Sequence, residues 1–141
     1  MYDAVDIAKY VINKCIDLGR PISNLQLQKI LYYIQGEYIR RTNGDTLFEN
    51  KISAWQYGPV VPDVYYEFNV YSSSDINNKY LTIELPKDIR SIIDPVISEK
   101  SKFSAWILVE HTHNELPWMK SYEEGKKNTI ELDIMKKFFI K

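Results

Sequence analysis

Apolar residues return every three or four positions at Ala4, Ala8, Val11, Ile12, Cys15 and Ile16, which is the spacing of one helical face. A helix is predicted over residues 3–18, with Asp3 and Asp6 near its start, where the dipole favours negative charge. Gly19 and Pro21 supply the stop. Ser23, with Gln26 three residues on, has the form of a capping box for a second helix. That helix carries Leu27, Ile30, Leu31, Ile34 and Tyr38 on its inner face and ends before Gly44. So short a connector predicts an αα-hairpin.

The rhythm then changes. LFENKISAW alternates apolar and polar residues about Glu49-Asn50, which predicts a short β-hairpin or ribbon ending near Tyr57. Period two sets Trp55 and Tyr57 on one face. Gly58-Pro59 breaks the pattern, and Pro62 fits the first turn of a new helix, with Val64, Phe68 and Tyr71 inward. Whichever of Tyr65 and Tyr66 leaves that stripe is the candidate for the outer surface. SSSDINN (72–78) reads as a loop and YLTIEL (80–85) as a short strand. Ile89, Ile92, Ile93 and Ile97 mark a helix that Pro95 should kink or break. Ser104 can cap the helix AWILVEHT, Pro117-Trp118 lead into a turn, and Thr129 can cap a last helix with Ile130, Ile134, Phe138 and Phe139. The expectation is one domain over 1–141, mainly α (α+β): a compact helical bundle with a small β-hairpin or ribbon.

Charge narrows the function. The 141 residues carry 19 acidic and 18 basic side chains, for a net charge of −1, which argues against nucleic acid or an anionic membrane as the main partner. No apolar run has the length to span a bilayer, and the N-terminus lacks a signal-peptide layout. A single cysteine, Cys15, forms no internal disulfide and suits a reducing compartment, so a cytoplasmic protein is expected. Eleven tyrosines and three tryptophans leave open whether the aromatics serve a thin core or an interface.

Catalytic chemistry is hard to place. P-loop, GxGxxG, GxSxG and HExxH patterns are all missing. His111 and His113 fall on different sides of a helix, too far apart to share a metal there, and no metal or cofactor is expected. Cys15 lies on the apolar stripe, where a thiol is inert. The basic pairs Arg40-Arg41 (with Lys29) and Lys126-Lys127 read first as solvated faces. Helix–GRPIS–helix resembles a helix-turn-helix, but its second helix is too apolar for a recognition helix. Glu123-Glu124 is most simply a solvated turn.

Three ordered segments carry a resemblance. NLQLQKILYYIQ (24–35), AWQYGPVVPDVYYEF (54–68) and THNELPW (112–118) resemble the Panacea domain, with its pattern LQKxLY … AWxYGPVxPxxY … THxxxPW. The resemblance implies a SocA-like, prophage- or phage-associated antitoxin without enzymatic activity, whose partner is a cognate toxin. Toxins of several unrelated classes are met across such a family. The alternatives it carries are an adaptor delivering the toxin to an AAA+ protease, or a DNA-binding regulator built on the first two helices. A homodimer is open. Its motif positions are Leu27, Gln28, Lys29, Leu31 and Tyr32; Ala54, Trp55, Tyr57, Gly58, Pro59, Val60, Pro62 and Tyr65; Thr112, His113, Pro117 and Trp118. Trp55 and Trp118 are expected to pack near the Gly58-Pro59 corner, with Gln28, Lys29, Tyr57 and His113 as its polar contacts. Shared motif residues then read mainly as scaffold lining a possible partner groove. Toxin contact falls to exposed tyrosines or the 72–80 loop.

Overall fold

A computed structural model describes residues 1–141. The first helix, α1 (Ala4–Asp17), is capped by the Asp3 side chain, which accepts from the Val5 N–H, and Gly19 follows it at φ +73°. The second, α2 (Asn24–Thr42), opens on the Ser23–Gln26 capping box, with both reciprocal hydrogen bonds formed. Every residue from Leu27 to Gly36 is buried. A helix covered on all sides is the core of the fold, and α2 packs on α1, on α3 (Pro62–Glu67), on α4 (Lys87–Lys100), on α5 (Ala105–His113) and on α7 (Leu132–Phe139). The remaining helix is α6 (Leu116–Ser121). Burial from Leu27 to Gly36 leaves the first half of α2 no polar face for a DNA groove, which argues against α2 as a recognition helix.

The strands are β1 (Ser53–Trp55) and β2 (Gly58–Val60), antiparallel, with Trp55 opposite Gly58 and Ser53 opposite Val60. The hairpin therefore turns at Gln56-Tyr57 and not at Glu49-Asn50. Two side chains explain the difference. Gln35, inside α2, accepts from the Leu47 N–H at 2.8 Å and donates to the Phe48 carbonyl at 2.8 Å, so that backbone is already used. Asn50 accepts from the Ala4 N–H at 2.9 Å and donates to Asp63 at 2.9 Å, which ties it to the start of α1.

Other expectations also change. Thr129 does not cap α7. It pairs with Ser53 in a third extended segment, where Ala54 donates to Asn128 and Ile130 to Ile52 at 2.8 and 2.7 Å. The helix begins only after Glu131. Pro117 and Trp118 lie inside α6, with Pro117 in its first turn, where a missing N–H costs nothing. Pro95 sits inside α4 without ending it. It lies on the exposed side, opposite Ile93 and Ile97, so water can serve the carbonyl it leaves free. YLTIEL forms no strand because no partner lies beside it. No helix is long and apolar enough to cross a membrane.

Candidate functional site

A two-residue turn between strands this short requires a backbone that reverses sharply. Gly58 completes the reversal at φ +103°, a region that other residues rarely enter. Space excludes a side chain there as well: a Cβ would stand 2.7 Å from Thr112 Oγ1 and 2.8 Å from Lys29 Cε. The outer edge of β2 has no strand beside it, and α2 takes that place. Lys29 Nζ donates to the Pro59 carbonyl at 2.8 Å, and Gln28 Oε1 accepts from the Val61 N–H at 2.9 Å. Pro59 itself has no N–H to satisfy. Lys29 is fully buried, with no ion pair, and desolvation lowers its pKa from 10.5 to about 7.

The third segment closes the corner from the other side. Trp118 Nε1 donates to the Trp55 carbonyl at 2.8 Å, and His113 Nε2 lies 3.1 Å from the Gln56 carbonyl. His113, Trp118 and Tyr122 stack in sequence, at centroid separations of 3.9 and 4.6 Å. Burial lowers the His113 pKa, partly offset by its bond to Gln56. Glu115 accepts from both Tyr32 and Tyr33 hydroxyls, at 2.9 and 2.8 Å, tying α2 to the start of α6. Burial raises the carboxyl's pKa, against those hydrogen bonds.

The named residues thus meet at one corner but play different parts. Gln28, Lys29, Tyr32, Gly58, Pro59 and Pro117 are buried. Pro62 starts α3. Trp55, Tyr65, His113 and Trp118 are half-buried. Tyr57 departs from its expected role: it is 47% exposed at the turn and makes no polar contact at the corner. Its ring meets Trp106 edge-on at 5.2 Å. Trp55 instead packs against Tyr65 at 5.0 Å and lies under the Lys127 ammonium at 4.4 Å, and its own indole N–H is buried without a partner. Between these rings runs an open groove of about 830 Å³, lined chiefly by Trp55, Tyr57, Tyr65, Trp106, Tyr122 and Lys127. Of the pair left undecided by spacing, Tyr66 is the outer one, 58% exposed.

The description "Antitoxin SocA-like, Panacea domain" matches residues 27–119 of the chain. The chain belongs to this family. A curated relative, "Antitoxin SocA" of Caulobacter vibrioides (strain NA1000 / CB15N), is 33% identical over 93 residues, covering 66% of this chain and 49% of that protein. The chain therefore spans about half the length of the curated relative it matches. No solved structure matches it.

Part of the Panacea-domain corner escaped sequence reading. Trp106, Tyr122 and Lys127 line the groove but lie outside the motif segments. AWILVEHT is apolar throughout its first turn, so its sequence does not say that Leu108, Val109 and Thr112 face inward while Trp106 stays 60% exposed. Glu115 lay within the third segment, but its role depends on α2 being at hand to present Tyr32 and Tyr33.

Proposed function

We propose that this Panacea-domain chain is an antitoxin that neutralises a cognate toxin by direct protein–protein contact, made through the aromatic groove beside the β1–β2 turn. The observation that carries the role is the family match across residues 27–119, which takes in the motif positions of all three segments, from Leu27 to Trp118. The groove supports the place. Tyrosine and tryptophan are the residues that anchor interfaces, and Tyr57 and Trp106 expose their rings together beside it. Stoichiometric blocking needs a contact on the order of 1,600 Å², which the groove and its rim can nucleate. The role is non-catalytic: the buried polar groups of the corner hold backbone.

The test co-expresses the product of the neighbouring gene with the native chain or with a Tyr57→Ala/Trp106→Ala variant. Growth arrest relieved by the native chain and not by a folded variant is expected. Arrest that the native chain leaves in place counts against the antitoxin role, and equal relief by both moves the contact away from the groove. Toxin abundance is followed in parallel. A toxin that stays abundant while silenced marks blocking. One that disappears, and returns in a protease-deficient host, marks delivery to an AAA+ protease.

A further inference from the structure

Both outer edges of the β1–β2 hairpin are taken. On the β1 side the Ala54 N–H donates to the Asn128 carbonyl at 2.8 Å, and on the β2 side Gln28 and Lys29 hold Val61 and Pro59. An incoming chain finds no free strand to extend at the aromatic groove, so an occupant is read by side chains. The loop 122–128 supplies one wall, and its charges divide unequally. Glu123 is used inside the loop: one carboxylate oxygen accepts from Asn128 Nδ2 at 3.1 Å and the other meets Lys126 at 3.2 Å. Lys127 is left without a carboxylate or carbonyl to donate to. Its ammonium rests 4.4 Å from the centroid of the Trp55 ring. A cation on a ring face keeps N–H donors for a further acceptor. Glu124, the one carboxylate lining the groove, pairs with neither lysine, so two lysines and one glutamate give the lining a net charge of +1.

We infer that the groove takes a segment of the toxin presenting one carboxylate side chain beside an aromatic one, with the carboxylate on the Lys127 ammonium and the ring against Tyr57 and Trp106. The inference rests on the groove being the toxin contact. Charge chooses the sign: a cationic side chain would meet Lys126 and Lys127 as like charges and have Glu124 alone to pair with. A carboxylate on an ammonium makes a charge-assisted hydrogen bond, about twice as strong as a neutral one. Trp55 already holds Lys127 in place, so less freedom is lost on binding. Glu124 repels a second carboxylate beside the first, which limits the segment to one. Size agrees: about 830 Å³ lies within the ~300–1,000 Å³ of ligand pockets, room for a few side chains. An aromatic side chain finds at Tyr57 and Trp106 the edge-on contact those two rings make with each other.

Three capped peptides probe the site on the full chain: Gly-Phe-Asp-Phe-Gly, and the same peptide with Asn or Lys in place of Asp. Phenylalanine leaves the tryptophan signal clear, and Trp55 and Trp106 line the groove, so protein fluorescence reports binding. Titration to about 5 mM reaches contacts far weaker than a protein interface. The Asp peptide should bind roughly tenfold tighter than the Asn peptide, with the Lys peptide weakest. Two exposed substitutions, their folds checked by circular dichroism, should act in opposite directions. Lys127→Gln brings the Asp peptide down to the level of the Asn peptide, and Glu124→Gln tightens it. Equal binding of the Asp and Asn peptides, preference for Lys, an Asp preference that survives Lys127→Gln, or no binding of any peptide overturns the inference. The growth assay separates this from failure of the toxin contact. Relief lost in the Tyr57→Ala/Trp106→Ala variant without any preference for Asp keeps that contact and overturns the chemistry assigned to it. A preference for Asp with full relief by that variant supports the chemistry and overturns the toxin as its source.

Discussion

Burying a lysine without a counter-charge leaves a mark on stability that pH can read. Lys29 titrates near 10.5 when unfolded and near 7 in the fold, because burial disfavours its charged form. At neutral pH this difference costs on the order of 5 kcal/mol, since each pH unit is worth about 1.4 kcal/mol. The sign follows from proton counts. Between pH 7 and 10.5 the unfolded chain holds a proton that the folded chain has lost, so stability rises with pH there. The penalty is fully present below about 7 and is relieved upward from it. From pH 7 to pH 8.5 the gain is on the order of 1–2 kcal/mol, a few degrees in Tm for a chain of this size. Neighbouring effects fall outside that window. His113, its pKa lowered by burial, acts below 6.5. Cys15, raised to about 11, and Tyr10, Tyr32, Tyr33 and Tyr80, all raised by burial, cost stability only as the unfolded groups ionise near 9 to 10. Urea unfolding followed by tryptophan fluorescence at the two pH values measures the gain, and Lys29→Met should abolish it. The absolute stability of that variant is a poorer readout, because the Pro59 carbonyl loses its donor at about 1–3 kcal/mol. A Lys29→Met protein that keeps the full rise would refute the reasoning.

The other predictions concern space and surface. Gly58→Ala meets both a positive φ and two close atoms, and should lose roughly 2–4 kcal/mol in the same unfolding assay. Gly36→Ala drives a methyl into the Phe139 ring, which packs directly on that glycine; a loss of about 1–3 kcal/mol is expected. Phe139→Ala should then cost less in the Gly36→Ala background than alone, as a double-mutant cycle would show. Tyr57→Ala and Trp106→Ala, at exposed rings, should each change stability by no more than about 1 kcal/mol, with an unaltered circular dichroism spectrum.

Much of the helical framework was legible because its signals are local. The α1 stripe, the Ser23–Gln26 box and Pro62 at a first turn depend on residues within one turn of each other. The β elements were misplaced for the opposite reason. Alternation in LFENKISAW is real, but Gln35, from inside a helix, took the hydrogen bonds that a partner strand would have used. YLTIEL likewise reads as a strand and lies unpaired, since pairing is a property of what sits beside a segment. The corner was legible only through the ordered motif. Periodicity alone marks Gln28, Lys29 and Gln35 as solvent-facing, and all three are buried, each holding backbone from another element.

That exchange explains why polar side chains occupy the most buried helix. A hairpin of three-residue strands does not stand alone in water, and its open edge must be covered. A third strand on that side would have bonded β2 with its own backbone and set a pleated sheet over the core. Instead α2 lends two side chains, so the same helix that organises the bundle also fixes the position of the turn. Gly58, Pro59 and Thr112 are then constrained from beneath, and the residues above them are released from packing duty. Tyr57 and Trp106 touch each other at the surface, and neither side chain takes part in the Lys29–Pro59 or Gln28–Val61 hydrogen bond. A surface supported in this way can change its side chains without moving its backbone. The proposed antitoxin role, in which one fold meets its partner through surface rings, calls for that separation of scaffold from contact.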